Sequence, residues 1–166
     1  MLKEAVSHLG ESTTDPRLEA FLSGIPCRSP LEPDDELSSA QERVDALGIE
    51  MLFNKRAEYF GEDTPDMFLS GVVVYGPTYE SGPELRPFTG DLVRGLAFTM
   101  RPAEVRKILG KPSKTAERRG KLLRDHWFYE AGEGTPHRTD LVVHYAKDGT
   151  AIRYLAVMIP HPSREA

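Results

Sequence analysis

Five histidines and one cysteine are the side chains of this 166-residue sequence best suited to chemistry, and their spacing argues against most of it. His126, His137 and His144 all fall in the second half. No His-x-x-x-His or Glu-x-x-His pattern joins any of the five, and strand parity gives no two of them a shared site, so no metal centre is expected. Ser7-His8, or Thr139-Asp140 with His144, would supply members of a hydrolytic triad, but no Gly-x-Ser-x-Gly elbow occurs to present a nucleophile. Cys27 follows a helix end beside Arg28, which would modestly lower its pKa; an inert, half-buried thiol is the simpler reading. Gly71, Gly76, Gly82 and Gly90 are spread through turns without the spacing of a phosphate-cradling loop. The sequence therefore predicts a protein that is not an enzyme and carries no cofactor or metal.

Two groups of residues remain for binding. Within residues 111–125, Lys111, Lys114, Arg118, Arg119, Lys121 and Arg124 stand against only Glu117 and Asp125, with Gly120 in the middle, which predicts a basic hairpin or loop. Such a segment could grip phosphates, with Trp127 and Tyr129 stacking on bases, yet the net charge of -5 favours a solvated loop. The second group lies on strands. If Leu141, Val143 and Tyr145 point at a covering helix, Val142 and His144 point away, and Tyr154 and Met158 share that open face with His144. Glu50 takes the outward parity of the strand Ile49-Glu50-Met51-Leu52-Phe53-Asn54. The candidate partner-binding residues are thus His144, Tyr154, Met158, Glu50, Trp127 and Tyr129, with aromatic anchors as the expected hot spots.

The elements that must carry these residues can be placed by periodicity and punctuation. Leu2, Ala5, Val6 and Leu9 recur at helical spacing over residues 2–10. Thr13 or Thr14 with Asp15 caps a second helix opened by Pro16 and closed by Gly24 and Pro26, burying Leu18, Phe21, Leu22 and Ile25. Residues 26–40 are rich in proline and acid and predict a loop, and strand signals resume at 42–45, 49–54 and 68–77. Thr99 is the expected cap of a third helix with Pro102 in its first turn, Glu104 favouring its positive end, and Val105, Ile108 and Leu109 facing the core. Strands follow at 126–129, 141–146 and 151–159, the last two joined by a tight Lys147-Asp148-Gly149 turn.

This order states one pattern twice. Pro16-Arg17-Leu18-Glu19-Ala20-Phe21-Leu22-Ser23-Gly24-Ile25-Pro26 is echoed by Pro102-Ala103-Glu104-Val105-Arg106-Lys107-Ile108-Leu109-Gly110-Lys111-Pro112, and each is followed by strands in meander order. The reading is a first α/β repeat over residues 1–90, containing an acidic loop, and a second over 91–166, together one globular unit. Residues 1–91 hold 7 basic and 18 acidic side chains against 14 and 8 in residues 92–166, so the molecule should be strongly dipolar. The two halves would then attract each other, or lie side by side in a homodimer, or the acidic half would steer a basic partner. No apolar run approaches the roughly 18 residues that cross a bilayer, and Met1 to Leu9 lack a basic region followed by a hydrophobic stretch, so a cytoplasmic protein without a membrane role is expected.

Met100, Glu104, Val105, Leu109, Gly110 and Pro112, then Trp127 and Tyr129, then Asp148-Gly149, resemble the pattern of the SmpA/OmlA-type domain of bacterial envelope lipoproteins over about residues 92–160. The echo in the first half makes the chain similar to the tandem form of that fold found in β-lactamase inhibitor proteins. The resemblance implies an α+β protein of two helix-plus-antiparallel-meander repeats forming one curved sheet with helices on one face. It also implies a non-catalytic, protein-binding scaffold. Cytoplasmic tandem forms look like bacterial immunity proteins, so the expected partner is a cognate toxin. A nucleic-acid-associated or regulatory role through the 111–125 segment is the alternative.

Overall fold

The computed structural model describes residues 1–26, 39–80, 82–132 and 135–162. Its organising element is strand β3 (Met67–Tyr75), whose nine residues are all buried. So continuous a run of Phe, Leu and Val needs cover on both faces, and a central place in a sheet provides it. Strands β1 (Ser39–Val44) and β2 (Ile49–Lys55) precede it; β4 (Lys114–Arg118), β5 (Lys121–Tyr129), β6 (Thr139–Tyr145) and β7 (Ile152–Met158) follow. All pair antiparallel in one seven-stranded sheet of order β1-β2-β3-β7-β6-β5-β4. The protein is therefore α+β with a single antiparallel sheet and few helices, none long and apolar enough to cross a membrane among the described residues.

Four short helices punctuate the strands: α1 (Leu2–Ser7), α2 (Pro16–Ser23), α3 (Arg56–Phe60) and α4 (Pro102–Leu109). Helix α2 begins as its sequence requires, with the Asp15 carboxylate accepting from the Arg17 N–H at 2.8 Å and Pro16 in the first turn. Helix α4 differs from expectation. Its cap is Arg101, not Thr99: the Arg101 N–H donates to Glu104 Oε2 at 2.8 Å, so the acid at the third helical position closes the end from inside. Ile108 is also not core. It stays 47 % exposed because Val105 and Leu109 form the contact stripe, and Ile108 lies about 100° around the helix from Leu109. Helix α3 has no counterpart in the sequence reading; its five residues are too few to show a period, and Gly61 ends it at φ +67.

One face of the sheet carries the main core. Ile49, Met51, Phe53, Val72, Val74, Trp127, Leu141, Val143, Tyr145 and Leu155 meet Leu2, Ala5 and Leu9 of α1 and its following turn, Leu18 of α2 and Val105 of α4. Each fully buried large aliphatic or aromatic side chain in that layer contributes about 1.5–3 kcal/mol. Residues 10–13 run beside β3, where Leu69 accepts from the Gly10 N–H at 2.9 Å and donates to the Glu11 carbonyl at 3.0 Å. Helix α1 is thereby tied to the sheet by backbone as well as by apolar contact. Cys27 and Arg28, and most of the expected loop at 26–40, lie outside the described residues.

Candidate functional site

The other face of the sheet bears no helix of the main core, and the strand register spells out its surface as three cross-strand rows. Arg124, His144, Tyr154 and Tyr75 form the first; His126, Val142, Ala156, Val73 and Glu50 the second; Phe128, Asp140, Met158, Gly71 and Leu52 the third. Alternation along each strand puts these residues together. Val73, Tyr75, Val142 and Ala156 are the buried heart of this layer, ringed by half-buried Leu52, Tyr79, Leu85, Tyr154 and Met158. Tyr79 and Leu85 come from the loop after β3 and lean over the first row, so part of the face is already covered by the chain itself.

The first row is aromatic and cationic. The His144 ring stacks on Tyr154 with centroids 4.0 Å apart and planes at 16°. Tyr79 meets Tyr75 at 4.4 Å and Tyr154 edge-on at 5.6 Å, while the Arg153 guanidinium sits 5.0 Å over the Tyr79 ring. Burial, aided by the charges of Arg124, His126 and Arg153, lowers the His144 pKa from 6.5 to about 4, so its imidazole is neutral at physiological pH. Burial raises the Tyr75 pKa, and the hydrogen bond its hydroxyl donates to Glu50 raises it further. Tyr75 is a phenol, never a phenolate, at working pH.

Next to this row, His126 Nδ1 lies 2.9 Å from Asp140 Oδ2, while His126 Nε2 and Asp140 Oδ1 are buried without a hydrogen-bond partner among the described residues. Strand parity does give two histidines a common face: His126 and His144 stand in adjacent rows, close enough for His126 to depress the His144 pKa. The expectation that no two histidines share a site is corrected here, because both register positions fall on the same side of adjacent strands. Thr139, Asp140 and His144 do not assemble as a triad. Asp140 pairs with His126, and four residues of extended strand separate it from His144 by about 13 Å. Among the described residues no three His, Cys, Asp or Glu side chains converge to hold a metal.

The six sequence candidates divide between the two faces. His144, Tyr154, Met158 and Glu50 come together on the helix-free side. Trp127 and Tyr129 face the other way. Trp127 is 3 % exposed in the main core, its indole N–H donating to the Gly110 carbonyl at 3.2 Å, and Tyr129 is half-buried beneath the Arg94 guanidinium at 3.8 Å from the ring centroid. A partner resting on His144 would not touch either. Tyr75 and Tyr79 were not singled out from the sequence. Tyr75 could have been found by extending the outward parity of Val73; Tyr79 sits in a turn-rich segment that carries no periodic signal.

Two other polar clusters are internally satisfied. Asp125, fully buried under α4, accepts from Arg106 Nε and Nη2, each at 2.8 Å, from Thr115 Oγ1 at 2.7 Å and from the Tyr145 hydroxyl at 3.1 Å. Burial pushes its pKa up, but the hydrogen bonds from Arg106 and Thr115 outweigh that and leave it lowered. A cleft of about 400 Å³ lies between the end of α1, α3 and the strap before β6, lined by Gly10, Glu11, Arg17, Arg56 and His137 among others. Its charges are matched to each other: Glu11 takes Arg17 and His8, each at 2.7 Å, and Arg56 holds Glu62 through Nε at 2.6 Å.

No family model matches the chain, and no curated protein and no solved structure matches it.

Proposed function

We propose that this chain is a non-catalytic protein-binding module of the cytoplasm whose helix-free sheet face, centred on His144 and Tyr154, covers the active cleft of a cognate bacterial toxin. One observation carries the reading: tyrosine and arginine, residue types that anchor protein interfaces, form with His144 a continuous row on the face that helices leave free. With His144 neutral and Tyr75 protonated, the charge of that amphipathic row comes from Arg124 and Arg153. The proposed tandem-repeat organisation draws support from strand order. β3 and β7, the last strands of the two halves, pair antiparallel at the centre with Val73 opposite Ala156, β2 and β6 flank them, and β1 and β5 lie beyond. A pseudo-twofold between halves would generate that order.

The test is reconstitution. A partner captured by the tagged chain from its native bacterium should be toxic when expressed alone, harmless with one equivalent of this protein, and toxic again when Tyr154→Ala replaces it. A captured protein whose activity is unchanged by the wild-type chain would remove the toxin reading, and capture unaffected by Tyr154→Ala would remove this face.

A further inference from the structure

The hairpin of β4 and β5 breaks two local rules within four residues. Its loop is Arg119-Gly120, with φ +53 and +72, a two-residue hairpin turn whose central residues are both left-handed. Asn, Asp or Gly suits the first of these positions; a long side chain with a Cβ is strained there. Immediately beside it, Arg118 and Lys121 are direct register partners, two cations facing each other across the ladder where opposite charges or apolar pairs stabilise.

Among the described residues nothing offsets either feature. Arg118, Arg119 and Lys121 are exposed, and none makes an ion pair or side-chain hydrogen bond with a described residue. Arg94 is the informative contrast. It too is left-handed, at φ +56, but its guanidinium lies 3.8 Å over the Tyr129 ring and so has a structural reason to be there. Protection of the free β4 edge against aggregation accounts for Lys114 and Arg118, but it does not require a cation in the turn. Sequences that sacrifice local consistency without internal gain do so at functional positions.

From this we infer that the hairpin tip, Arg118-Arg119-Gly120-Lys121, is a docking element for an acidic, Asp/Glu-rich segment of the protein partner. The inference rests on the protein-binding reading and names the chemistry of a second contact. Arg124 ties the two together, because it belongs both to the hairpin strand and to the aromatic row beside His144. A carboxylate-rich protein segment fits better than a nucleic acid. The aromatic side chains nearest in sequence that a nucleic acid would stack on are already taken, Trp127 being 3 % exposed in the main core and Tyr129 lying beneath Arg94, whereas a short acidic segment need only meet the three cations.

A fluorescent polyglutamate peptide, with a single-stranded oligonucleotide of equal length as comparison, provides the measurement by anisotropy with the full chain at low and at about 0.15 M salt. The wild type should bind polyglutamate more tightly than the oligonucleotide. The triple variant Arg118→Thr, Arg119→Asn, Lys121→Thr should bind it about tenfold more weakly. The same variant should melt about 2–4 °C higher, since it removes strain and repulsion. Equal binding by wild type and variant, tighter binding of the oligonucleotide, or a lower melting temperature in the variant would each overturn the inference. Because the probe is a peptide and not the partner, such a failure leaves the His144 and Tyr154 face to its own test.

Discussion

The two faces of one sheet differ in how they use the same alternation. On the helix-covered side, Phe53, Leu155, Val143 and Trp127 are at most 3 % exposed and are locked by α1, α2 and α4. On the other, Val73, Val142 and Ala156 are buried largely by neighbours and a leaning loop, and the ring around them remains half-exposed. The difference teaches that one register serves two purposes: odd positions of β6 such as Leu141 and Val143 hold the fold, while on the even side Val142 is buried as support and His144 is left for contact.

Substitutions should separate the faces, beginning with the largest expected effect. Phe53→Ala removes a fully buried ring from the helix-covered layer and should destabilise by about 3–5 kcal/mol in denaturant unfolding. Asp125→Ala strips the Arg106, Thr115 and Tyr145 hydrogen bonds of their acceptor and should cost about 2–4 kcal/mol. Its pH signature has a definite sign. With the folded pKa held below the ordinary 3.8, Asp125 stabilises fully above that value, so the gap between wild type and Asp125→Asn should stay constant at neutral pH and narrow as pH falls below 3.8.

The helix-free face should respond to pH in a different window. The unfolded chain protonates His144 near pH 6.5 while the folded chain resists until about pH 4, so stability is full above 6.5 and falls as pH drops between those values. His144→Gln should flatten that slope relative to wild type in unfolding curves collected across the window. A steeper slope in the variant would mean that His144 is charged in the folded protein. Smallest of all, Arg119→Asn should raise stability by about 0.5–1 kcal/mol, because it relieves a left-handed arginine that makes no ion pair or side-chain hydrogen bond with a described residue.

Much of this arrangement was legible in the residues. Pro16 and Gly24 marked α2 to the residue, Asp148-Gly149 gave the β6–β7 turn with Gly149 at φ +70, and the alternation of Leu141 to Tyr145 assigned both faces of β6. The 111–125 segment is indeed a hairpin. What escaped depends on tertiary context. Five residues of α3 cannot display a helical period. Ile108 is outside because the helix presents only the Val105 and Leu109 edge to the sheet, a rotation that spacing alone does not fix. The β3 bulge was also invisible: Leu52 pairs with Gly71 but Phe53 with Leu69, leaving Ser70 to donate its hydroxyl to the Leu52 carbonyl at 3.0 Å. Within the candidate site, parity alone placed His144, Tyr154, Met158 and Glu50, whereas Tyr79 depends on how a loop folds back.

The most direct measurement pairs denaturant unfolding with partner capture for the double variant His144→Ala, Tyr154→Ala. A face reserved for contact should lose about 1–2 kcal/mol of stability, well short of Phe53→Ala, while affinity for the captured partner falls about a hundredfold. A stability loss equal to that of Phe53→Ala, or undiminished affinity, would contradict the division of labour between the two faces.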